Sequence, residues 1–252
     1  MNMIPTNPPE VSPASRRPGQ AEPTVFTSGL SIFEAQKAAT LSGKITSARG
    51  VSPRMFDTEL FERFSRAHPA TPALVYGPMA IGAIAYAIHL GQGIARVSVA
   101  VLLGYVAWTF AEYWLHRVVF HLRVVGPKTA RVHFVLHGVH HEYPWDFSRL
   151  VMPLGASSGL CVLTYALFRL LLGPVQMWAP FAGFLLGYIF YDSVHWYVHA
   201  RKPKRGILGW IRREHFLHHF RNPESRYGVS CPWMDTLFRS RGPAVGNLHV
   251  DA

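Results

Sequence analysis

The sequence predicts an all-α integral membrane protein, with four transmembrane helices as two hairpins and a histidine-rich cap on the cytosolic side. Three observations predict this class. Apolar residues make up 49% of the 252 residues and charged residues only 15%, whereas soluble domains carry about 25% charged residues. The apolar residues form long runs that basic residues flank on one side. Ten of the 14 histidines fall into four short clusters.

Four apolar runs are long enough to cross a bilayer, which requires roughly 20 apolar residues. They cover about 73–90, 94–115, 150–172 and 175–198. Only a few residues separate the first run from the second, and the third run from the fourth. Each pair therefore predicts a helical hairpin.

The basic residues predict the orientation of these hairpins. Eight Lys and Arg residues precede the first hairpin, five lie between the hairpins and ten follow the second, so that only Arg96 and Arg169 fall elsewhere. By the positive-inside rule, both termini and the middle loop face the cytoplasm. The membrane would be the inner membrane in a bacterium or the endoplasmic reticulum in a eukaryote. Four buried helices of a soluble bundle would not explain such one-sided charge.

The regions outside the runs differ in composition. Residues 1–52 are rich in Pro, Ser, Thr and Gly, and we predict a disordered N-terminal tail because they cannot bury enough apolar surface. Residues 53–68 have helical periodicity and mixed charge, which predicts an interfacial helix. Residues 241–252 predict a short C-terminal tail. The net charge of +11 would suit nucleic acid or an anionic membrane, but no nucleic-acid-binding motif occurs, so we expect only the membrane.

The four histidine clusters are the strongest functional signal. All of them lie at the end of the second or the fourth apolar run or after it, which places them at one membrane surface. They are His116 and His121 in HRVVFH, His137, His140 and His141 in HGVHH, His195 and His199 in HWYVH, and His215, His218 and His219 in HFLHH.

The spacing within each cluster has a geometric meaning. Residues three or four apart share one face of a helix, so His195 and His199 can bind one metal together. In each triplet, the first histidine can reach the same side as the other two. His116 and His121 are five apart, about 140° around an ideal helix. Either these two bind from different sides or the helix unwinds between them, and the spacing leaves both open.

Ten imidazoles predict two metal ions. Imidazole binds iron, zinc, copper and nickel, and a zinc site usually takes four ligands, so ten exceed the capacity of one ion. Glu112 and Asp192 each lie about one helical turn before a clustered histidine. Either carboxylate could accept a ring N–H and so hold a ligand in one tautomer.

Simpler explanations suffice for the remaining histidines. His68, His89 and His249 are isolated, and a single histidine near a membrane is usually an interfacial polar group. His133 lies four residues before His137 and could belong to the same helix without binding metal. No nucleophile elbow, phosphate loop or dinucleotide-binding motif occurs. The chemistry therefore depends on the histidines.

The blocks that carry these histidines resemble the fatty acid hydroxylase superfamily, and within it the fatty acid 2-hydroxylases that act on sphingolipid acyl chains. The resemblance runs from about Arg54 to Arg239, through EYWLHRVVFH, HFVLHGVHHEYPWDFSRLVMP, YDSVHWYVH and HFLHHFRNPESRYGVSCPWMDTLF. The histidine signature is shared with sterol desaturases. The tract from Asp146 to Pro153 and the closing GVSCPWMD tract favour the 2-hydroxylases.

This resemblance implies a membrane fatty acid hydroxylase domain at 53–240, with all ten clustered histidines as metal ligands. It implies two irons, dioxygen, external electrons and a hydroxyl group added at carbon 2 of an acyl chain. Zinc can replace iron in purified protein, because imidazole sites bind zinc more tightly. The HPGG haem motif of several eukaryotic members does not occur, so we expect a separate electron donor such as cytochrome b5 or ferredoxin.

Residues beside the histidines are candidates for substrate and partner contacts. We predict that four residues contact the substrate or belong to the cap: Trp145, Asp146, Arg149 and Tyr191. We predict that five aromatic residues line or border the substrate entrance: Trp145, Phe147, Tyr191, Trp196 and Tyr197. An ordinary interfacial aromatic belt would explain any one of these aromatic residues. Arg201, Lys202, Lys204 and Arg205 are predicted to face anionic lipid head groups or to dock an acidic electron-transfer protein.

Two other functions stay open. A sterol- or carotenoid-type desaturase or hydroxylase would use the same metal centre. A membrane metal transporter would place its ligands along the spans near the midplane, whereas these histidines follow the ends of the runs.

Overall fold

The computed structural model of the protein describes residues 54–242. The predicted N-terminal tail and most of the predicted C-terminal tail lie outside the described residues. Within the described part, every regular element is a helix and no strand occurs. The prediction of an all-α fold is therefore confirmed.

Residues 54–242 contain nine α-helices and two π-helical segments. The α-helices are α1 (Glu59–Phe64), α2 (Thr71–His89), α3 (Ile94–Trp114), α4 (Pro127–His133), α5 (Val139–Glu142), α6 (Leu154–Gln176), α7 (Trp178–Ala200), α8 (Gly206–Phe220) and α9 (Trp233–Leu237). The π-helical segments, Leu115–Phe120 and Phe134–Gly138, directly continue α3 and α4. Helices α2, α3, α6 and α7 coincide with the four apolar runs to within a few residues, and α1 lies in the predicted interfacial segment.

Three of the long helices are long and apolar enough to cross a membrane. They are α2, α6, and α3 together with its π-helical continuation, as expected of a multi-pass membrane protein. Helix α7 does not meet the same criterion, because its second half carries Asp192, His195 and His199 among the apolar residues. A fourth span at α7 therefore stays a prediction.

Helix α7 forms the centre of the bundle and packs mainly against α3 and α2. Its contact with α3 is close because small residues let the two backbones approach. A Cβ atom added to Gly104 would lie 1.9 Å from the Pro180 carbonyl oxygen, and one added to Gly183 would lie 1.9 Å from the Val101 carbonyl oxygen. This close contact fixes the position of the C-terminal end of α3 relative to that of α7.

The two short connections meet at one end of the bundle. Gly91 (φ 82°) turns the chain between α2 and α3, and Gly173 (φ 76°) turns it near the end of α6. The Gln92 side-chain amide donates to the Val175 carbonyl at 2.6 Å, which ties the two connections together. Because α3 and α7 both run away from this end, their histidines come together at the other end.

Candidate metal centre

A π-helical turn explains the five-residue spacing of His116 and His121. The His121 N–H donates to the His116 carbonyl at 3.0 Å, which is the i to i+5 hydrogen bond of a π-helix. Residues five apart therefore lie on one face, and the two rings have centroids 5.0 Å apart. The turn contains one residue more than an α-helical turn, which agrees with the second alternative, a helix that unwinds between the two histidines.

The ten histidines form two groups of five. In each group, one ring nitrogen from every histidine lies within 4.8 Å of all the others. The first cluster contains His116, His121, His137, His141 and His218, and the second cluster contains His140, His195, His199, His215 and His219. The structure thus brings together every histidine that the sequence predicted and leaves His68, His89 and His133 outside both groups.

Each histidine triplet is divided between the two clusters. His137 shares the first cluster with His141, but His140 lies in the second. His215 and His219 lie in the second cluster, while His218 lies in the first. The first histidine of each triplet does lie on the same side as the other two, since the His137 ring centroid is 5.3 Å from that of His140 and 4.7 Å from that of His141. The spacing did not show that the three side chains serve two sites. Adjacent residues point in different directions on a helix, and here those directions serve two sites.

The spacing of the ring nitrogens fits metal ions. Within each cluster, neighbouring Nε2 atoms are 2.9–3.1 Å apart. Two ligand atoms at right angles around an ion, each roughly 2.1 Å from it, would lie roughly 3.0 Å apart. Five neutral nitrogen donors also match the ligand type that iron and zinc accept. Each cluster could therefore hold one ion.

Backbone carbonyls orient three of the rings. The Nδ1 atom of His116 lies 2.6 Å from the Tyr227 carbonyl, and that of His218 lies 2.7 Å from the Ser225 carbonyl. In the second cluster, Nδ1 of His195 lies 2.9 Å from the carbonyl of Leu150. A carbonyl only accepts, so each Nδ1 carries the proton and each Nε2 presents its lone pair to the cluster.

Burial keeps these imidazoles neutral. Desolvation, together with the neighbouring rings, lowers the pKa of His121 and of both triplets well below the ordinary value. A neutral imidazole is the form that binds a metal. The candidate ligands are therefore ready to bind at neutral pH.

The two predicted carboxylates have other partners. Glu112 accepts from the Ser230 N–H at 2.6 Å and also from the Ser230 hydroxyl. Asp192 lies 3.4 Å from the Met152 N–H. Backbone carbonyls, rather than Glu112 or Asp192, lie next to the three oriented rings. These carboxylates instead hold the segments that contribute to the walls of the site.

Asp235 was missed as a functional residue, although it organises the segment that carries two of these carbonyls. Its buried carboxylate accepts from the backbone N–H groups of Tyr227 at 2.8 Å and Gly228 at 2.9 Å. The Ser240 hydroxyl donates to it at 2.7 Å. The PWMD part of the family block contained the signal, but only the tertiary structure shows its connection to His116.

An apolar cavity of about 270 Å³ adjoins both clusters. His137 of the first cluster and His140 and His195 of the second lie in its wall. Most of the remaining wall is apolar and comes from the α1 region, the segment at 149–156 and α7. A hydrocarbon chain placed here would lie beside both candidate metal sites.

The predicted substrate residues divide into two sets. Arg149 and Tyr191 line the cavity, and Asp146 pairs with Arg149 at 2.9 Å. The aromatic residues predicted at the entrance are not in the cavity wall, with Tyr191 as the exception. Those outside it are Trp145, Phe147, Trp196 and Tyr197. They lie on other faces of the segments that hold the site.

The α1 region forms a cavity wall that the sequence did not reveal. Phe61 and Phe64 line the cavity, and Glu62 forms a buried ion pair with Arg149. Glu62 also accepts from the Met55 N–H at 2.8 Å. Burial raises the pKa of Glu62, but Met55 and Arg149 more than offset this and lower it below its ordinary value. The charged carboxylate ties α1 to the segment after the HGVHH block.

Together, the apolar helices, the two buried clusters and the adjoining cavity define a class of multi-pass membrane protein that could hold two metal ions beside an apolar cavity. Comparison with known proteins gives the family. The chain belongs to the fatty acid hydroxylase family, whose model matches residues 101–240. The resemblance seen in the histidine blocks is therefore confirmed.

Several curated relatives are named as 2-hydroxylases. The dihydroceramide fatty acyl 2-hydroxylase FAH1 of Arabidopsis thaliana is 30% identical over 186 residues, which cover 74% of this chain and 78% of the relative. The fatty acid 2-hydroxylase of Mus musculus is 38% identical over 147 residues, and the match spans 39% of its length. A solved structure described as full-length Scs7p, with only the hydroxylase domain visible, matches 77% of this chain with a TM-score of 0.70 at 28% identity.

Proposed function

We propose that this protein is a dioxygen-dependent di-iron monooxygenase that hydroxylates carbon 2 of a lipid acyl chain. The observation that carries this proposal is the apolar cavity whose wall includes histidines of both clusters. An acyl chain in this cavity would present a carbon atom to both candidate metal sites. The names of the curated relatives support the same position on the chain.

The ten histidines would hold two iron ions, and the bound irons would supply dioxygen activation and oxidation of the C–H bond. The protein provides the environment for that reaction. The Tyr227, Ser225 and Leu150 carbonyls hold three rings in one tautomer, as described above. Phe61, Phe64 and the other apolar residues of the wall exclude water and restrict the chain to few orientations, which favours reaction at one carbon.

The charges at the cavity favour an uncharged acyl head. Arg149 pairs with both Glu62 and Asp146, so its charge is already compensated. A free carboxylate placed beside Arg149 would also face these two acids. We therefore expect an amide- or ester-linked acyl chain, such as that of a ceramide, rather than a free fatty acid. Separate analysis of the 2-hydroxylated ceramides and the 2-hydroxylated free fatty acids tests this expectation without a variant of Arg149.

The proposed topology places this site at the cytoplasmic surface. Four spans, two hairpins and cytoplasmic termini follow from the positive-inside rule, within a hydroxylase domain at 53–240. The acyl tail would stay in hydrocarbon while its carbonyl end reaches the interface. Reporter fusions at the two termini and in the loop between α5 and α6 would test this topology, and a periplasmic or luminal signal from the loop would contradict it.

The activity is tested by expressing the protein in a host that lacks 2-hydroxylated lipids. Mass spectrometry should show acyl chains that have gained one oxygen atom, with fragments that place it at carbon 2. His218→Ala should abolish this product. His89→Ala is the matched control, since His89 lies at the other end of the bundle and in neither cluster, and it should retain activity.

The same lipid extracts distinguish the alternatives. Loss of two hydrogens from a chain, or a modified sterol or carotenoid, would indicate the desaturase-type reaction instead. Metal analysis of active preparations tests the proposal of iron, and activity that follows zinc content would contradict it. Robust metal flux into vesicles without any modified lipid would indicate a transporter.

A further inference from the structure

Four basic side chains form an exposed surface directly after α7. Arg201, Lys202, Lys204 and Arg205, hereafter the basic rim, are all exposed. Ion pairs with acidic residues occur elsewhere in the described part of the chain, but none involves the basic rim. Its positive charge is therefore not compensated by the carboxylates of residues 54–242.

An aromatic wall connects the basic rim to the second cluster. The ammonium group of Lys202 lies 5.8 Å from the ring centroid of half-buried Trp145. The Trp145 ring lies 6.2 Å from the ring of His199 and 5.9 Å from that of Phe216, measured between centroids. His199 belongs to the second cluster, so one aromatic residue separates the exposed surface from a candidate metal ligand.

Arg212 adds a buried cation to this wall. Its guanidinium lies 4.3 Å from the ring centroid of Phe216, and the residue is only 6% exposed. Within the described residues, its Nε and Nη2 atoms have no hydrogen-bond partner. A buried, unpaired cation is costly, and an acidic group brought to this surface would reduce that cost.

We propose that the basic rim docks an acidic one-electron carrier protein and that electrons pass from the carrier through Trp145 to the second cluster. This rests on the proposed function, in which R–H, dioxygen, two electrons and two protons give R–OH and water. Two reduced carriers would each lose one electron to complete each turnover. The positive surface would steer the carrier to this position.

The position of Trp145 favours a redox protein over a lipid head group as the occupant. An anionic head group requires only positive charge, whereas Trp145 and His199 offer a short aromatic route to the metals. Neither residue lines the substrate cavity, whose wall contains His137, His140 and His195. Electrons and acyl chain would therefore reach the clusters from different sides and would not compete.

Docking is measured without turnover. Oxidised soluble cytochrome b5 haem domain, an acidic carrier, is bound to the full chain in nanodiscs of zwitterionic lipid. The double variant Lys202→Glu/Arg205→Glu should weaken binding by about tenfold or more, and added salt should weaken binding of the parent chain most. Lys128→Glu is the matched control, because Lys128 is exposed and basic but lies on α4. It should bind as the parent does.

Electron transfer is measured by stopped-flow oxidation of pre-reduced carrier. Trp145→Leu should bind normally but oxidise the carrier more slowly, and Trp145→Phe should restore much of the rate. Thermal unfolding checks that each variant is folded. The double variant should keep its product yield when dithionite replaces the carrier, because dithionite needs no docking surface.

Three results would overturn the proposal. In the first, the double variant binds the carrier as tightly as the parent does. In the second, Lys128→Glu weakens carrier binding as much as the double variant does. In the third, the double variant affects only binding to phosphatidylglycerol vesicles, which would assign the basic rim to the membrane. Failure of the proposed function has a different signature. In that case the parent chain makes no 2-hydroxy product with dithionite, whatever the binding data show.

Discussion

Removal of the Asp235 carboxylate should empty one candidate metal site and leave the other occupied. Asp235→Ala removes the acceptor of the Tyr227 and Gly228 N–H groups, which lie at 2.8 and 2.9 Å. Each buried donor left without an acceptor costs about 1–3 kcal/mol, so we expect a loss of unfolding free energy of about 2–6 kcal/mol. The more specific effect is on the carbonyls of the same segment.

Those carbonyls orient His116 and His218, and both histidines belong to the first cluster. Loss of a group that orients a ligand lowers metal affinity by about 10–100-fold. His195 of the second cluster is oriented by Leu150 instead, so the second cluster should keep its ion. Asp235→Ala should therefore bind close to one metal ion per chain, where the proposed function expects two in the parent.

Metal content is measured by mass spectrometry of protein equilibrated at graded free-iron concentrations. Asp235→Asn keeps one acceptor oxygen and should give an intermediate result. Asp57→Ala, at an exposed position, is the control and should bind as the parent does. Equal loss of metal from both sites, or normal metal content in the alanine variant, would refute the reasoning.

Three further predictions concern the helices that position the site. Deletion of Val118 should convert the π-helical turn to an α-helix and move His121 away from the first cluster. The metal content should fall while the helicity measured by circular dichroism is retained. Unchanged metal binding would contradict the role of the turn. Gly183→Ala should destabilise the protein by about 1–3 kcal/mol or more through overpacking, since its Cβ would lie 1.9 Å from a backbone carbonyl oxygen. Gly77→Ala is the control, because its Cβ would have no atom within 4 Å, and it should unfold at the same temperature as the parent. Arg149→Leu should cost about 3–5 kcal/mol, because it removes the buried cation that pairs with Asp146 and that Glu62 shares with Arg66. A variant as stable as the parent in denaturant titration would show that this cation is not needed.

Local patterns were sufficient for a large part of the fold. The apolar runs identified α2, α3, α6 and α7 because the hydrophobicity of a helix that meets lipid or a buried core is visible in consecutive residues. Helix α7 shows the limit of this signal. It lies at the centre of the bundle and carries polar residues of the site, so the fourth span that its apolar run predicts stays a prediction.

The site could be predicted as a set of residues but not as an arrangement. Clusters of imidazoles at short spacing indicated metal binding, since few other requirements explain them. The spacing of His116 and His121 left two arrangements open, because the sequence does not show whether the helix keeps 3.6 residues per turn between them. A π-helical turn depends on one inserted residue and on the contacts that stabilise it, and neither is visible in the spacing.

The sequence by itself determined the class of the chain, the positions of its long helices and the ten imidazoles that could bind metal, because hydrophobicity and ligand chemistry are properties of the residues. Only the tertiary structure decided how those imidazoles divide into two clusters, which carbonyls orient them and that α1 completes the cavity. These features join residues far apart in the chain, such as His116 with Tyr227 and Glu62 with Arg149. Their geometry arises from the packing of whole helices against one another, which no local pattern encodes.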